Sequence, residues 1–312
     1  MKLDGVVAFV AVAETGSISD AARRLRLAKS VVSERLAELE RSLGATLIHR
    51  TTRKLALTED GLSFLERAKR IAGEAAEAAD ELSERRGLMS GPLRINAPYS
   101  LSNMHLGPAL YSFLARHPEI NLTLELEDRF VDPSAAGFDA VFRIAPELDT
   151  HIAVRPITTS RRVLVASPAY IAAHGAPQSL AELEQHRAVH FTDRSPDDWV
   201  FRDGGRSVAV RVAPNVRING CESVRDAVVA GLGVGFLPTF ICGPALRSGA
   251  LVSIDVGVDP DINHIFAVLP GDFRPKAKLR ALIDHVCEAF GSPPYWEAGL
   301  DLPWLNQTVA AK

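Results

Sequence analysis

A repeat of small and apolar residues between residues 59 and 87 constrains the fold of this chain more than any other feature of its sequence. The repeat positions are Leu65, Ala68, Ala72, Ala75, Ala79 and Leu82. Their alternating spacing of three and four residues predicts one long helix, capped at its start by Thr58, with a heptad stripe. A lone helix would leave such a stripe exposed, so we expect it to pair with a second copy of itself. Packing against the domain that follows in the same chain is the alternative.

The segment before this helix has a local excess of positive charge. Residues 1–58 contain ten lysines and arginines and six acidic residues, about +4, although the 312-residue chain has a net charge of −3. A basic segment of this size suits a polyanionic partner, but many solvated helices carry as much charge. The excess therefore indicates nucleic acid only together with the pattern of the residues around it.

Three short helices are predicted within the basic segment. Apolar residues recur at helical spacing over residues 3–13, and Thr15-Gly16 ends that helix. Ser17 followed by Asp20 resembles a capping box for a second helix. The third helix is predicted from about Lys29 to Leu43, where Gly44 stops it.

The third predicted helix has two distinct faces. Its apolar side consists of Val32, Leu36, Leu39 and Leu43, and its outer side of Ser30, Ser33, Glu34, Ala37 and Arg41. A short helix, a tight turn and a helix with a small polar face are typical of a helix-turn-helix, which reads the major groove of DNA. An ordinary three-helix bundle with a solvated face is the alternative. The candidate DNA-binding residues here are Ser17, Lys29, Ser30, Ser33, Glu34 and Arg35.

A hairpin with a basic, threonine-rich tip is predicted over residues 45–58. Its candidate DNA contacts are Arg50, Thr51, Thr52, Arg53 and Lys54. The cations among them would neutralise phosphates or enter a minor groove. A solvated loop tip is the alternative, but it does not explain why the cations lie beside a predicted helix-turn-helix.

Together these residues resemble the LysR-type transcriptional regulators. The matching run extends from Phe9 to Leu25, continues through Val32-Ser33, Leu39-Glu40, Leu43-Gly44 and Arg50–Arg53, and ends at Leu57–Gly61; weaker similarity extends to about residue 290. The resemblance implies an all-α winged helix-turn-helix over residues 1–58 and a linker and dimerisation helix over 59–90. It also implies a homodimer or homotetramer on double-stranded DNA, with RNA polymerase as a further candidate partner.

Three positions depart from the pattern of that family. The family often has serine where this chain has Ala28 and glutamine where it has Lys29, so a helix cap is lost and an amide is replaced by a cation. Lys29 would contact either a guanine or a phosphate. Glu34, at a position that is commonly basic or an amide, would either accept from a cytosine or repel phosphate. The preferred base sequence therefore does not transfer from relatives.

From about residue 91 onwards, the chain alternates strand-like and helical stretches, which predicts an α/β fold. Strands are predicted at 93–97, 122–127, 140–144, 163–167, 208–212, 234–237 and 264–269, and helices near 103–116, 179–185, 222–231 and 276–290. The resemblance implies a periplasmic-binding-protein-like effector domain over residues 91–290, with small ligands in the cleft between two subdomains. We expect residues 91–161 and 266–290 in the first subdomain, 162–265 in the second, and a tail at 291–312.

The candidate effector-binding residues are Tyr99, Ser100, Ser102, Arg143, His190, Asn219, Cys221 and Phe236. Tyr99, Ser100 and Ser102 match the effector-contact segment of the family, where hydroxyls and helix-start amides suit an anion; a capped helix with a surface tyrosine is the alternative. Arg143 would pair with a carboxylate of the ligand or form a structural ion pair. Cys221 at a predicted helix start is interpreted first as a small residue filling the turn; the alternative is a lowered thiol pKa, expected at a helix start, which would favour redox chemistry.

The sequence favours no cofactor and no enzyme. The three cysteines form no CxxC, the histidines have no metal-ligand spacing, and there is no Gly-x-Ser-x-Gly motif. No apolar run is long enough to span a membrane and the N-terminus lacks the features of a signal peptide, so a cytoplasmic protein is expected.

The sequence therefore predicts a DNA-binding transcriptional regulator whose activity is modulated by a small molecule. A solute-binding protein or enzyme with an N-terminal helical oligomerisation unit is the alternative. A constitutive repressor with a vestigial sensor would differ only in lacking a ligand that changes its affinity for DNA.

Overall fold

In the computed structural model the chain forms two compact units, Met1–Leu88 and Met89–Lys312. The structure describes residues 1–25, 27–50, 55–84, 89–146, 153–192, 198–270 and 277–302. Each unit has an apolar core of its own.

The first unit begins with three helices, α1 (Leu3–Thr15), α2 (Ile18–Leu25) and α3 (Lys29–Leu43). Glycines in the left-handed region, Gly16 and Gly44, terminate α1 and α3, as the sequence predicted. The predicted cap of α2 is also present, because the Ser17 hydroxyl accepts a hydrogen bond from the Asp20 amide at 3.3 Å. The apolar faces of the three helices form one core that includes Val6, Phe9, Val12, Val32, Leu36 and Leu39.

A two-stranded hairpin and a long helix complete this unit. Strands β1 (Ile48–Arg50) and β2 (Leu55–Leu57) are antiparallel, and the Glu40 carboxylate on α3 accepts from the Leu47 and Ile48 amides at 2.8 and 3.2 Å. Helix α4 (Glu59–Glu84) begins where Thr58 accepts from the Gly61 amide at 2.9 Å. The helix was predicted to reach about Gly87, and residues 85–88 lie outside the described residues.

The first half of the α4 stripe packs within its own unit. Ala68 is fully buried in the α1–α3 core, and the rings of Phe9 and Phe64 lie 5.6 Å apart. The expectation that the whole stripe needs a second copy was therefore wrong for Ala68, because α1 covers this part of α4. Ala72 and Ala75 are only partly buried, so pairing with a second copy remains a prediction for that portion of the helix.

The second unit is built on a seven-stranded sheet in which four strands come from the first subdomain. Their order is β4 (Ile120–Leu126), β3 (Gly91–Ala97), β5 (Ala140–Ala145) and β14 (Ile262–Leu269), followed by β6 (Ala153–Ala166) and β11 (Gly235–Pro238). Strand β12 (Val252–Ser253) also pairs with β6. Strands β3, β4 and β5 are parallel, as expected for an α/β fold. The helices of this subdomain are α5 (Tyr99–Leu101), α6 (Gly107–Arg116), α7 (Pro133–Ala136) and α12 (Ala277–Phe290).

Strand β6 passes from one subdomain to the other without a break. Residues 153–161 pair with β14, and residues 162–165 pair with β11. The change of partner falls at the subdomain boundary predicted between residues 161 and 162. A continuous apolar core follows the strand and includes Leu93, Ile95, Phe142, Val163, Val224 and Phe240.

The second subdomain adds two small sheets and four helices. Strand β7 (Arg187–Phe191) pairs in parallel with β10 (Ala213–Ile218), while β8 (Asp198–Asp203), β9 (Arg206–Arg211) and β13 (Asp259–Pro260) form the other sheet. The helices are α8 (Pro168–His174), α9 (Leu180–Leu183), α10 (Cys221–Val229) and α11 (Thr239–Arg247). A separate apolar cluster around Trp199, Phe201 and Phe236 holds β8, β9 and β11 together.

Helices α7, α8 and α11 were not predicted from the sequence, and one predicted helix takes a different course. The helix expected near 103–116 starts earlier and contains a wide π turn over Ser102–Leu106, which joins α5 to α6. A Cβ at Gly107 would lie 2.7 Å from the Ser102 carbonyl oxygen, so glycine makes this turn possible. Helix α11 was not predicted because Gly243 and Pro244 lie inside it; burial of Phe240, Ile241 and Cys242 outweighs their low helix propensity.

We predict opposite effects on stability for alanine at two glycines of α4. A Cβ at Gly61 would overlap the backbone carbonyl oxygen of Leu47, whereas a Cβ at Gly73 has no atom within 4 Å. Gly61→Ala should destabilise the first unit by about 1–3 kcal/mol through overpacking, and Gly73→Ala should stabilise it by about 0.5–1 kcal/mol through helix propensity. Urea unfolding of the full chain, followed by far-UV circular dichroism, measures both.

Equal effects of the two substitutions would contradict this account of the α4 start. Each substitution adds one methyl group to the same helix. The difference between their effects on the free energy of unfolding therefore reports the contact with Leu47.

Candidate DNA-binding and effector sites

The outer face of α3 is exposed at its N-terminal end, as the helix-turn-helix interpretation requires. Lys29, Ser30 and Glu34 are exposed and Ser33 is half-buried, while Val32 and Leu36 on the opposite face are fully buried. Lys29 begins the helix after Ala28, whose side chain provides no cap. This arrangement presents a short polar surface of small side chains and one cation.

Three of the predicted residues have positions that differ from the expected face. Leu43, predicted to be buried, is 36% exposed because it is the last residue of α3. The Arg35 guanidinium lies 3.0 Å from the Asp4 carboxylate on α1, so it faces α1. The Ser17 hydroxyl caps α2 and is already engaged by a backbone amide.

The hairpin holds the remaining DNA-binding candidates. Arg50 ends strand β1, opposite Leu55 of β2. Thr51, Thr52, Arg53 and Lys54 lie outside the described residues. The Glu40 carboxylate of α3 accepts from the Leu47 and Ile48 amides and so fastens the first strand of the hairpin to α3.

The expected cleft of the second unit is bridged by a hydrogen bond. The Ser100 hydroxyl on α5 donates to the Glu222 carboxylate in the first turn of α10. On the first wall, the Tyr99 amide donates to the Asp128 carboxylate at 3.1 Å. The donors that were expected to hold an anionic ligand therefore already bind carboxylates of the chain itself.

Cys221 begins α10 and has a thiol that is not activated. Burial raises the pKa of Cys221 to about 12, and the nearby Asp128 and Glu222 carboxylates add to the shift. The expected lowering of the Cys221 pKa was therefore wrong, because burial and two negative charges outweigh the helix start and the Arg162 guanidinium. Burial likewise raises the pKa of Cys242 to about 12.

Arg143 lies in β5 and is 5% exposed. Its guanidinium donates to the Phe142 carbonyl and the Asn96 side chain, both at 2.6 Å, and to the Arg129 carbonyl. Burial lowers the pKa of Arg143 to about 10, against the opposing effect of Glu127 and Asp128. Its Nε has no hydrogen-bond acceptor in the described part of the structure.

The other effector candidates lie in different surroundings. His190 is buried, its Nε2 lies 3.0 Å from the Val212 carbonyl and its ring packs on Trp199, which indicates a structural role. Phe236 belongs to the same apolar cluster, with the Arg162 guanidinium 5.5 Å above its ring. Asn219 is exposed before α10.

Ser102 lies two residues after Ser100, at the start of the π turn. It is 3% exposed, and its hydroxyl has no hydrogen-bond partner among the residues that the structure describes. A buried hydroxyl without a partner costs free energy.

Sequence reasoning missed Asp128 and Glu222, whose carboxylates accept from the Tyr99 amide and the Ser100 hydroxyl and contribute to the raised pKa of Cys221. Glu222 follows Cys221 directly, and a carboxylate in the first turn of a helix is a common signal that was available. Asp128 follows β4 and gave no local signal, since its role depends on the packing of α5 against the end of that strand.

Two further features bear on the kind of site present. Among the described residues, no three His, Cys, Asp or Glu side chains form a group that would hold a metal ion. None of the helices in the described part of the chain has the length and apolar character needed to cross a membrane.

Comparison with family models assigns both units. Residues 3–62 match the bacterial regulatory helix-turn-helix protein, lysR family, and residues 86–291 match the LysR substrate binding domain. The chain is 32% identical to the HTH-type transcriptional regulator CrgA of Neisseria meningitidis, over 91% of this chain and 95% of that protein. It is 30% identical to the regulator PtxR of Pseudomonas aeruginosa, over 95% of each chain.

Solved structures agree with this assignment. The structure of CrgA from Neisseria meningitidis matches with a TM-score of 0.58 and 31% identity, over 92% of this chain and 98% of that one. The full-length AphB virulence activator of Vibrio cholerae matches with a TM-score of 0.57 and 26% identity, over 92% of this chain and 99% of that chain.

The two family models cover both units of the chain, and the relatives span nearly its whole length. The resemblance identified from the sequence is confirmed, as is the fold of a helix-turn-helix unit followed by a two-lobed α/β effector domain. The chain belongs to the LysR-type transcriptional regulators, which bind DNA, respond to small-molecule effectors and are not enzymes.

Proposed function

We propose that the N-terminal part of α3 reads operator DNA in the major groove and that the hairpin tip contacts the backbone beside it. The exposed polar surface of Lys29, Ser30 and Glu34 above a fully buried apolar face carries this proposal. Small side chains let the helix approach the base edges closely, and the burial of Val32 and Leu36 holds it at a fixed orientation.

The DNA contacts divide into two kinds. Ser30, Ser33 and Lys29 are in position for base edges or nearby phosphates, and Glu34 accepts from a cytosine amine or keeps the face away from non-specific phosphates. Arg50, Arg53 and Lys54 neutralise phosphates and add affinity that depends on salt.

The oligomer that binds DNA is a homodimer or homotetramer. Paired recognition helices would enter successive major grooves about 34 Å apart. The partly buried Ala72 and Ala75 of α4 support pairing through this helix. RNA polymerase is a further partner, and the protein works without a cofactor in the cytoplasm, where the DNA is.

The effector binds between the two subdomains, at the end of the cleft lined by Ser100, Ser102 and Arg143. The unpartnered Ser102 hydroxyl and the free Nε of Arg143 support this position. Glu222 and Asp128 restrict the ligand, because a carboxylate ligand competes with Glu222 for the Ser100 hydroxyl and is repelled by both charges.

Redox sensing is the second candidate function that this group of structures suggests. One related structure is the regulatory domain of AphB from Vibrio vulnificus treated with cumene hydroperoxide, 26% identical to this chain. The raised pKa of Cys221 and Cys242 disfavours the same chemistry here, because the thiolate is the reactive form.

Binding to DNA should become less dependent on salt when Arg53 is replaced. We expect Arg53→Ala to weaken binding to promoter DNA flanking the gene, because one cation fewer faces the phosphates. The slope of log K against log salt should fall by about 1 for each phosphate that is no longer neutralised. Fluorescence anisotropy at several salt concentrations measures both quantities.

Arg206→Ala is the matched control, because Arg206 is an exposed cation on the β8–β9 hairpin of the other unit. It should leave the slope unchanged. An Arg53→Ala slope equal to that of the wild type, or failure of the wild type to prefer the promoter over random duplex, would contradict the proposed interface.

Removing the Glu222 charge should improve binding of carboxylate ligands. Glu222→Gln keeps an acceptor for the Ser100 hydroxyl but removes a like charge at the ligand position, so the affinity for benzoate as a probe should rise several-fold. The benzoate-induced rise in melting temperature of the full chain reports this change. Glu288→Gln, an exposed glutamate on α12, is the control, and an equal response of both variants would refute the assignment of Glu222 to the ligand site.

Native Cys221 should resist thiol reagents at neutral pH. Because burial raises the pKa of Cys221 to about 12, very little of the reactive thiolate forms at pH 7, so iodoacetamide should label Cys221 far more slowly than in the urea-unfolded chain. Mass spectrometry of the Cys221 peptide measures the two rates. Labelling of the native protein at the unfolded rate would restore the redox hypothesis.

A further inference from the structure

The segment after α12, residues 291–302, is packed into the second unit and forms what we call the strap. Its central residue, Trp296, is 2% exposed. The Trp296 ring lies 4.6 Å from His105, 5.1 Å from Phe290 and 6.2 Å from Phe240. The strap is therefore part of the apolar core.

A buried ion pair fastens the strap. The Glu297 carboxylate lies 2.5 Å from the Arg161 guanidinium and accepts from the Thr239 hydroxyl at 2.9 Å. The side chains of Arg161 and Glu297 are 9% and 3% exposed. Burial raises the pKa of the Glu297 carboxyl, whereas the hydrogen bonds from Arg161 and Thr239 lower it.

These partners belong to different parts of the molecule. Arg161 lies on β6 at the point where the strand changes from the first subdomain to the second, and Thr239 begins α11 of the second subdomain. At the strap's start, the Thr158 hydroxyl of β6 donates to the Gly291 carbonyl at 2.8 Å. The strap thus touches the crossing strand at Thr158 and Arg161, and it touches α11 of the second subdomain at Thr239, Phe240 and Arg247.

The strap also reaches the helix that carries the proposed effector contacts. His105 lies in the π turn that begins at Ser102, and its ring nitrogens contact the Tyr295 hydroxyl at 2.6 Å and the Phe240 carbonyl at 3.0 Å. One end of this turn is therefore at the cleft and the other is on the strap. A displacement of Ser100 and Ser102 would be passed to Tyr295 and Trp296, since the turn is packed and buried.

We propose that Glu297 is a positioning residue for the effector response. It holds the strap between the effector helix and the crossing strand, and so sets the angle between the two subdomains. This inference rests on the proposed function, in which the effector binds in the cleft. Loss of the Glu297 charge frees the subdomains to move about β6 and opens the cleft at Ser100 and Glu222.

Hydrogen exchange of the full-length protein without ligand tests the proposal. Glu297→Gln should accelerate amide exchange several-fold at three places: the crossing strand over residues 158–162, the π turn over 102–106, and the first turn of α10 over 221–224. The side-chain bonds of Glu297 go to Arg161 and Thr239, neither of which belongs to α10, so a purely local packing role would leave exchange in the α10 turn unchanged. Asp301→Asn, an exposed carboxylate on the same strap, is the control and should change none of them.

Thr239→Val is the second variant in case Glu297→Gln does not fold. It removes one hydrogen bond to Glu297 at nearly constant volume, and it should accelerate the same three regions to a smaller extent. Faster exchange confined to α11 and the strap in either variant would overturn the proposal.

Anisotropy with the promoter fragment separates this inference from the proposed function. If the wild type binds the promoter specifically but exchange at the cleft is unaltered in both variants, the regulator assignment stands and the positioning role is wrong. If exchange changes as expected, the positioning role stands whatever the promoter affinity.

Discussion

The geometry of the effector domain depends on one continuous strand. Strand β6 pairs with β14 over one half and with β11 over the other, so both subdomains are built on the same backbone. A strand bonded on its edges cannot bend sharply without leaving buried amides and carbonyls unpaired, which costs about 1–3 kcal/mol for each group. The subdomains are therefore free to twist about β6 but not to separate, and this restriction determines where the cleft opens.

The chemistry of the cleft follows from that restriction. Because the subdomains cannot separate, α5 and the start of α10 face each other closely enough for Ser100 to bind Glu222. Asp128 is brought to the Tyr99 amide from the same side. Burial, together with the nearby Asp128 and Glu222 carboxylates, raises the pKa of Cys221, and the same two carboxylates lie beside the proposed effector position.

Much of the fold could be predicted from local patterns in the sequence. The buried strands around Ile95 and Phe142 and the two faces of α3 were predictable because each depends on residues a few positions apart. Helix α11 was missed because Pro244 lowers local helix propensity and only the core around Phe240 restores it. In the site, Ser100 was singled out from a motif, and its contact with an effector stays a prediction. The electrostatics of Cys221 were not, because they depend on Asp128, which is 93 positions away in the chain, and on burial that exists only after folding. A helix start alone favours a lowered thiol pKa, but burial and the nearby carboxylates raise the pKa of Cys221 by more.

The energetics of the buried Arg161–Glu297 pair suit its position, where β6 changes from one subdomain to the other. Removing two charges from water largely cancels their attraction, so such a pair contributes little net stability, whereas removing one partner is costly. A charged hydrogen bond contributes about 1.5–3 kcal/mol, and the coupling between two sites in allosteric proteins is typically about 1–3 kcal/mol. The free energy of one such bond, placed where β6 changes subdomain, is thus comparable to a typical coupling free energy between two sites. The pair is better suited to defining the angle between the subdomains than to stabilising either of them.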